Sequence, residues 1–273
     1  MLPFLIADSG GTKTDWCFVD SSNKKHFFST KSYHPINWSK DFEQNIKKFW
    51  DMFPEYKKAE LRFFCAGCLK KEKSDELSEL FKRIGFVNIH VLSDLHAAAI
   101  SLYGNTNGYC AILGTGSVFF EWKDQEIVSI TGGKGHEIGD EGSGFYFGKL
   151  VYEAYSNHSL SDNQTRLFEK EFEIKEFINS LAKKNTKNVF SSIPERLAKF
   201  KKEFENIHLR NIDLFFDDVW KSNLPLNVKV VGGYFKANSD LFIPYLKRKG
   251  IHIQDFNSRP IDSLVDYFVR FDD

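Results

Sequence analysis

Two stretches of this sequence share one pattern. Each opens with an apolar run, meets a cluster of glycine and threonine, and continues into residues that alternate with a period of two. The first is PFLIADSGGTKTDWCFVD, residues 3–20, where Trp16 and Phe18 alternate with Cys17 and Val19 after the glycines. The second is GYCAILGTGS followed by VFFEW, residues 108–122. A period of two marks a strand. The glycines therefore join two strands as a hairpin tip, whereas a P-loop or dinucleotide-binding loop runs from its glycines into a helix. Lys25–Thr30 and Glu126–Ile130 add a third strand to each, the latter across an Asp124-Gln125 turn. Recurrence after roughly a hundred residues reads as a duplicated architecture, each half starting with a three-stranded meander.

Strand and helix signals alternate after each meander. A helix over Ser39–Met52 carries Phe42, Ile46, Phe49 and Trp50 on one face, with Ser39 as N-cap and Pro54 as stop. Strand Glu60–Cys65, a helix over Ser74–Ile84 capped by Ser74, strand Asn88–Leu92 and helix Leu95–Tyr103 complete the first half. The second half continues with a loop over 131–142, a helix from about Ser143 to Tyr155, and a mainly helical stretch to about Ser222. Strand Leu226–Val231 follows, then a helix over Phe235–Lys249 that Pro244 should kink or shorten. Strand Ile251–Phe256 and a last helix over Pro260–Phe271 end the chain. The expected fold class is α/β in two lobes. They span residues 1–106 and 107–258, with a helical insertion at about 158–222 in the second. A length of 273 residues suffices for two cores.

Bulk properties exclude several functions. Lysine plus arginine and aspartate plus glutamate both number 37, so the net charge is zero and no basic footprint for nucleic acid exists. The apolar start Leu2–Ala7 lacks a basic flank and is too short for a signal peptide or a span. No later run approaches about 18 apolar residues. A cytoplasmic protein without membrane contact is the expectation, and there Cys17, Cys65, Cys68 and Cys110 are free thiols. The 28 phenylalanines fit a codon bias or an aromatic core and carry no functional reading.

Five clusters could do chemistry. Gly10 and Gly11 let backbone N–H groups approach phosphate oxygens, and Thr12, Lys13 and Thr14 add donors around them. Asp8, just before the tip, is placed to hold Mg²⁺ through a water. Gly114, Thr115, Gly116 and Ser117 repeat the phosphate logic in the second half, and two such tips facing each other would grip a polyphosphate. Asp94 follows a strand end, where it could accept a proton from an attacking hydroxyl or simply cap the next helix. Asp140 and Glu141, within GDEGSG, suit a magnesium or hydroxyl site, or a capped helix start. Gly232 and Gly233 let a flat nucleobase or ribose lie close to the backbone, or make a tight turn. No G-x-x-x-x-G-K-[ST] string occurs. Cys65-Ala66-Gly67-Cys68 lacks a second pair at zinc-ligand spacing. His96 and His136 stand alone.

Taken in order, ADSGGTKTDW, FFCAGC, LSDLHAAA, AILGTGS, GDEGSGFYFGK, VVGGYF and RPIDSLV resemble the actin-like ATPase superfamily that includes hexokinase and the heat-shock ATPase. They are most similar to its N-acetylglucosamine kinases and BadF/BadG-type ATPases. The resemblance implies two ribonuclease-H-like lobes with a central nucleotide cleft, the last helix (residues 259–273) returning to the first lobe. It implies ATP and Mg²⁺ as cofactors and an amino sugar as substrate, with a homodimer as a common assembly. Gly10 through Thr14 and Gly114 through Ser117 become the phosphate segments, and Gly232 and Gly233 the adenosine border. Asp94 becomes the general base in place of a cap. Asp140 contacts the sugar, with Thr115 and Gly116 nearby, and Asp8 and Glu141 serve the metal.

Two departures fall on the sugar pocket. Kinases of this kind carry an asparagine after the third strand, where this sequence reads SYHPINW, with His34 in that place and Asn37 nearby. Lys134 stands where related kinases often have an aromatic. The resemblance also leaves two other activities open. One is a BadF-type ATPase that drives a partner and holds an iron–sulfur cluster through cysteines such as Cys65 and Cys68. The other is a nucleotide- or sugar-binding regulator without turnover.

Overall fold

Phe4–Ser9 (β1) is apolar at every position but its last two, and Phe4 through Ala7 are buried. A strand with no solvent face belongs in the middle of a sheet. β1 indeed pairs antiparallel with Lys13–Val19 (β2) and parallel with Glu60–Cys65 (β4). Lys25–Lys31 (β3) and Ile89–Ser93 (β5) flank these, giving the order β3-β2-β1-β4-β5. The computed structural model describes residues 3–11, 13–33, 39–135, 139–183, 186–220 and 227–271. The chain divides into two compact units, residues 1–106 with 259–273 and residues 107–258.

Alternation along β1 and β2 sorts the first unit into two layers. Leu5, Ala7 and Trp16 face Ile46 and Trp50 of Lys40–Asp51 (α1) and Leu77, Leu80 and Phe81 of Lys71–Arg83 (α2). Phe4, Ile6, Cys17 and Val19 face Ala97 of Asp94–Tyr103 (α3) and Ile261, Leu264 and Val265 of Pro260–Phe271 (α11). The phenylalanine excess goes into packing, since the largest fully buried side chains are Trp16, Trp50 and ten phenylalanines. Trp16 meets Trp50 edge-on at 4.9 Å, a geometry worth about 0.5–1.5 kcal/mol beyond area burial.

The second unit repeats the plan. Gly108–Leu113 (β6), Ser117–Lys123 (β7) and Glu126–Gly132 (β8) form the meander, and Asn227–Val231 (β9) and His252–Asn257 (β10) run parallel to β6. The order β10-β9-β6-β7-β8 is that of the first sheet read backwards. Asp124 and Gln125 both have positive φ, 51° and 62°, as a two-residue hairpin turn of the I′ kind requires. The units differ between their third and fourth strands. The first has α1 there. Among the described residues the second has Gly144–Ser156 (α4), Asp162–Glu171 (α5), Ile174–Ala182 (α6), Thr186–Arg196 (α7) and Glu205–Trp220 (α8).

Two local expectations need correction. α2 begins at Lys71, and Ser74, read above as its cap, sits inside the first turn with its hydroxyl on the Lys71 carbonyl at 2.9 Å. The expected helix over 235–249 is two helices, Gly233–Ala237 (α9) and Ser239–Arg248 (α10). The break falls at Asn238, whose side-chain amide donates to the Tyr234 carbonyl at 2.9 Å. Pro244 lies within α10 and forgoes only the bond its position would donate to the Asp240 carbonyl. Among the described residues no helix is long and apolar enough to cross a membrane. All four cysteines are free and buried.

Candidate functional site

In the first unit, the parallel strands β1, β4 and β5 end together, with Ser9, Cys65 and Ser93 in register. Asp8 and Asp94 stand at that end, both partly buried. Burial pushes the Asp8 carboxyl up to about 7, helped by the charges of Asp94 and of Asp15, its cross-strand partner. Burial likewise raises Asp94 to about 6, against the pull of hydrogen bonds from the N–H groups of Asp94 itself and Leu95. Two carboxylates held near neutrality at one strand end mark a site for charge or proton handling. Asp94 lies in the first turn of α3 and Ser93 occupies the cap position.

The tip above them has one polar side facing inward. The Thr14 hydroxyl is buried, 2.7 Å from the Ser9 hydroxyl, and both accept from the Tyr33 N–H, at 3.3 and 3.2 Å. Thr14, read above as a phosphate donor, is held under the tip by these bonds. The Gly10 N–H donates to Lys13 O at 3.0 Å, and Gly10 O accepts from the Ser32 hydroxyl at 2.6 Å. Lys13 is exposed and pairs with Asp15 at 2.7 Å. Gly11 is exposed. Thr12, His34, Asn37 and His136 lie outside the described residues.

The second unit builds its tip from backbone. The Gly114 N–H donates to Gly116 O at 3.0 Å, and Gly114 O and Thr115 O accept from the first N–H groups of α4, at 2.8 and 3.3 Å. Thr115 is exposed. Asp140, with φ 70°, is buried and accepts from the Ser117 N–H at 3.2 Å. A β-carbon on Gly116 would stand 3.2 Å from that carboxylate, so glycine here makes room for Asp140. The Ser117 hydroxyl donates to the Glu141 carbonyl at 2.6 Å. Ser117, read above as a phosphate donor, gives its N–H and its hydroxyl to the tip's own support. Gly232, with φ 141°, lets β9 end against β6; a β-carbon there would lie 2.2 Å from the Leu113 carbonyl oxygen. Gly232 is therefore a close-packing residue, and Gly233 is the one of the pair that lines open space.

That space is a cavity of about 410 Å³ bordered by Gly114, Thr115, Gly144, Lys201, Gly233 and Tyr234, among others. Its volume falls within the range of small-molecule sites. The Ser191 hydroxyl oxygen lines it, buried and without a hydrogen-bond partner among the described residues. Such an atom fits a ligand that brings its own polar groups. A larger cavity of about 700 Å³ between α1 and α2 is lined by Glu43, Glu72, Asp75, Glu76 and Glu79 against Arg83, a net acidic lining that disfavours phosphate.

Sequence reasoning missed the residues that hold the second site together. Asn211 of α8 accepts from the Gly142 N–H at 2.8 Å and donates to the Ser143 carbonyl at 2.9 Å and the Tyr234 hydroxyl at 3.2 Å. His208, one turn earlier, meets the same hydroxyl through Nδ1 at 2.8 Å. Burial lowers His208 to about 3, so the ring is neutral, and its tautomer sets which of the two groups donates. The only sequence signal for this triad was polar His208 and Asn211 at i, i+3 on an otherwise apolar helix face. Among the described residues no group of three His, Cys, Asp or Glu side chains forms a metal cluster.

No protein-family model matches the sequence, and no curated protein matches it. Solved structures do. The chain superposes on a candidate N-acetylglucosamine kinase from Porphyromonas gingivalis with a TM-score of 0.86, over 99% of this chain and 100% of that one, at 22% identity. A candidate N-acetylglucosamine kinase from Chromobacterium violaceum gives 0.70, over 98% and 99%, at 16% identity. MreB5 of Spiroplasma citri, solved bound to ADP, gives 0.61, over 99% and 96%, at 11% identity. At such identities the likeness speaks for the fold, which is the α/β fold of actin-like ATPases.

Proposed function

We propose that this protein is a sugar kinase that moves the γ-phosphoryl group of ATP to a hydroxyl of N-acetylglucosamine or a related amino sugar. The observation that carries the reading is the pair Asp8 and Asp94, raised to about 7 and about 6 at the end of one sheet. Phosphoryl transfer asks mainly for positioning and charge neutralisation. Asp94 takes the proton of the attacking sugar hydroxyl as that oxygen bonds to the γ-phosphorus. The bond from phosphorus to the bridging oxygen breaks, and ADP leaves. A base raised to about 6 is ionised at neutral pH and still proton-hungry enough to serve. Asp8 would hold Mg²⁺, which when bound neutralises phosphate charge. The Gly11 N–H and the Lys13 ammonium at the first tip, and the Thr115 and Gly116 N–H groups at the second, bind phosphate. The cavity bordered by Gly233 takes the adenosine, and Asp140 the sugar hydroxyls.

The names of the similar structures favour N-acetylglucosamine as the first sugar to try. An activator that shares an iron–sulfur cluster between subunits would carry iron, so a colourless, iron-free protein purified without oxygen would count against that reading. The decisive experiment measures ADP release from Mg-ATP across a panel of hexoses and N-acetylhexosamines. Release should depend on the sugar and be fastest with an amino sugar. A rate identical with and without every sugar would refute the proposal.

A further inference from the structure

The kinase reading leaves Cys65-Ala66-Gly67-Cys68 unused. Cys65 is the last residue of β4 and Cys68 precedes α2. The Cys68 N–H donates to the Cys65 carbonyl at 3.2 Å, and Gly67 supplies the positive φ, 82°. A turn closed in this way keeps its outer α-carbons within about 7 Å. Disulfide-bonded cysteines have α-carbons about 4.4–6.8 Å apart, a span of the same size as this turn. The two thiols shift each other's ionisation in opposite directions.

We propose that Cys65 and Cys68 form a reversible disulfide under a small-molecule disulfide oxidant, making this turn a modification site. Cys68 leads, because the Cys65 thiol holds it below its ordinary value, while burial and Cys68 push Cys65 up. The Cys68 thiolate attacks one sulfur of glutathione disulfide. That S–S bond breaks, and one glutathione leaves, taking up the proton Cys68 gave away. Cys65 then loses its proton and attacks the Cys68 sulfur, releasing the second glutathione. Two electrons and two protons pass from the cysteine pair to the reagent. Both thiols are buried, yet Gly67, Leu69 and Lys70 around them are exposed, so a local opening of a surface turn gives access.

The bond has a route to the candidate site. The Cys65 thiol shares its one hydrogen between the Ala66 carbonyl at 3.3 Å and the Tyr33 carbonyl at 3.8 Å, and the Tyr33 N–H donates to the Ser9 and Thr14 hydroxyls under the first tip. Oxidation removes that thiol donor. Losing one such bond lowers turnover by about three- to tenfold. This second step rests on the kinase reading; disulfide formation does not.

The full-length protein is incubated across a series of glutathione disulfide to glutathione ratios, quenched in acid, alkylated after denaturation and mapped by mass spectrometry. The Cys65–Cys68 peptide should lose two hydrogens and escape alkylation, while Cys17 and Cys110 are alkylated. The double variant Cys17→Ala, Cys110→Ala should behave the same, and Cys68→Ser should not form the bond. Thiols at 65 and 68 that stay alkylatable at every ratio, or a glutathione that persists on Cys68, would overturn the proposal. ADP release by the oxidised protein should fall and recover with dithiothreitol. Full turnover in completely oxidised protein would overturn the coupling to the tip alone.

Discussion

At the end of β1 the first unit gathers ionisable groups, Asp8, Asp15, Asp94 and Lys13, whose charges push on one another. At the end of β6 the second unit gathers glycines, main-chain carbonyls, one buried carboxylate, Asp140, and a neutral triad, Asn211, His208 and Tyr234. The hairpins have the same topology, yet one is tuned by electrostatics and the other by shape. The difference teaches a division of labour. Buried carboxylates at an unrelieved cost suit proton transfer and metal binding. Close-packed backbone with a satisfied polar network suits a fixed surface for a flat or phosphorylated ligand. Substitutions in the first unit should therefore change rates and pH profiles, and those in the second should change integrity.

The sharpest way to break this contrast is Asp94→Asn. It should lower kcat by about 10²–10⁴-fold while ATP binding, followed by calorimetry, persists. Near-normal turnover would move the chemistry elsewhere. Next comes Gly232→Ala, whose β-carbon would meet the Leu113 carbonyl at 2.2 Å. A cost of about 3 kcal/mol in denaturant melts follows from overpacking. Gly10→Ala, with its nearest neighbour at 3.9 Å, is the control that stays within about 0.5 kcal/mol. Tyr234→Phe strands the Asn211 amide and His208 Nδ1 and should destabilise by about 2 kcal/mol. Equal melts for Tyr234→Phe and wild type would show that the triad does not hold the second site.

The smallest effect has the opposite sign. The folded-state value of Asp8 lies above its ordinary 3.8, so its contribution is fully present at low pH and is lost as pH rises through about 7. Asp8→Asn should therefore stabilise the protein at pH 8 by about 1–2 kcal/mol, after allowing for solvent screening, and by little at pH 4. A variant no more stable than wild type at pH 8 would show that Asp8 carries no burial cost.

Both sheets were legible because strands announce themselves locally. The run Phe4–Ala7 and the alternation Trp16–Val19 need no distant partner to be read. The candidate residues could be picked out for the same reason, since glycine tips and strand-end carboxylates are short-range patterns. The inward turn of Thr14 was available too, because it shares a strand face with buried Trp16 at i, i+2. What stayed hidden was tertiary. Asn211 lies 69 positions from the Gly142 it supports, and no periodicity links them. The start of α2 and the break at Asn238 were misread because a serine and a proline are only propensities, and local backbone hydrogen bonding outweighed both.

α11 packs Ile261, Leu264 and Val265 onto Phe4, Ile6 and Val19, strands made at the opposite extreme of the chain. The earlier-made unit is thus unfinished until the later-made one has been threaded through. On the ribosome, residues 107–258 are contiguous and ready to collapse first, while the amino-terminal sheet waits with one layer bare. Nascent chains arrested before Arg259 should accordingly be protease-resistant in the second unit and cleavable in the first, reversing the usual order of maturation.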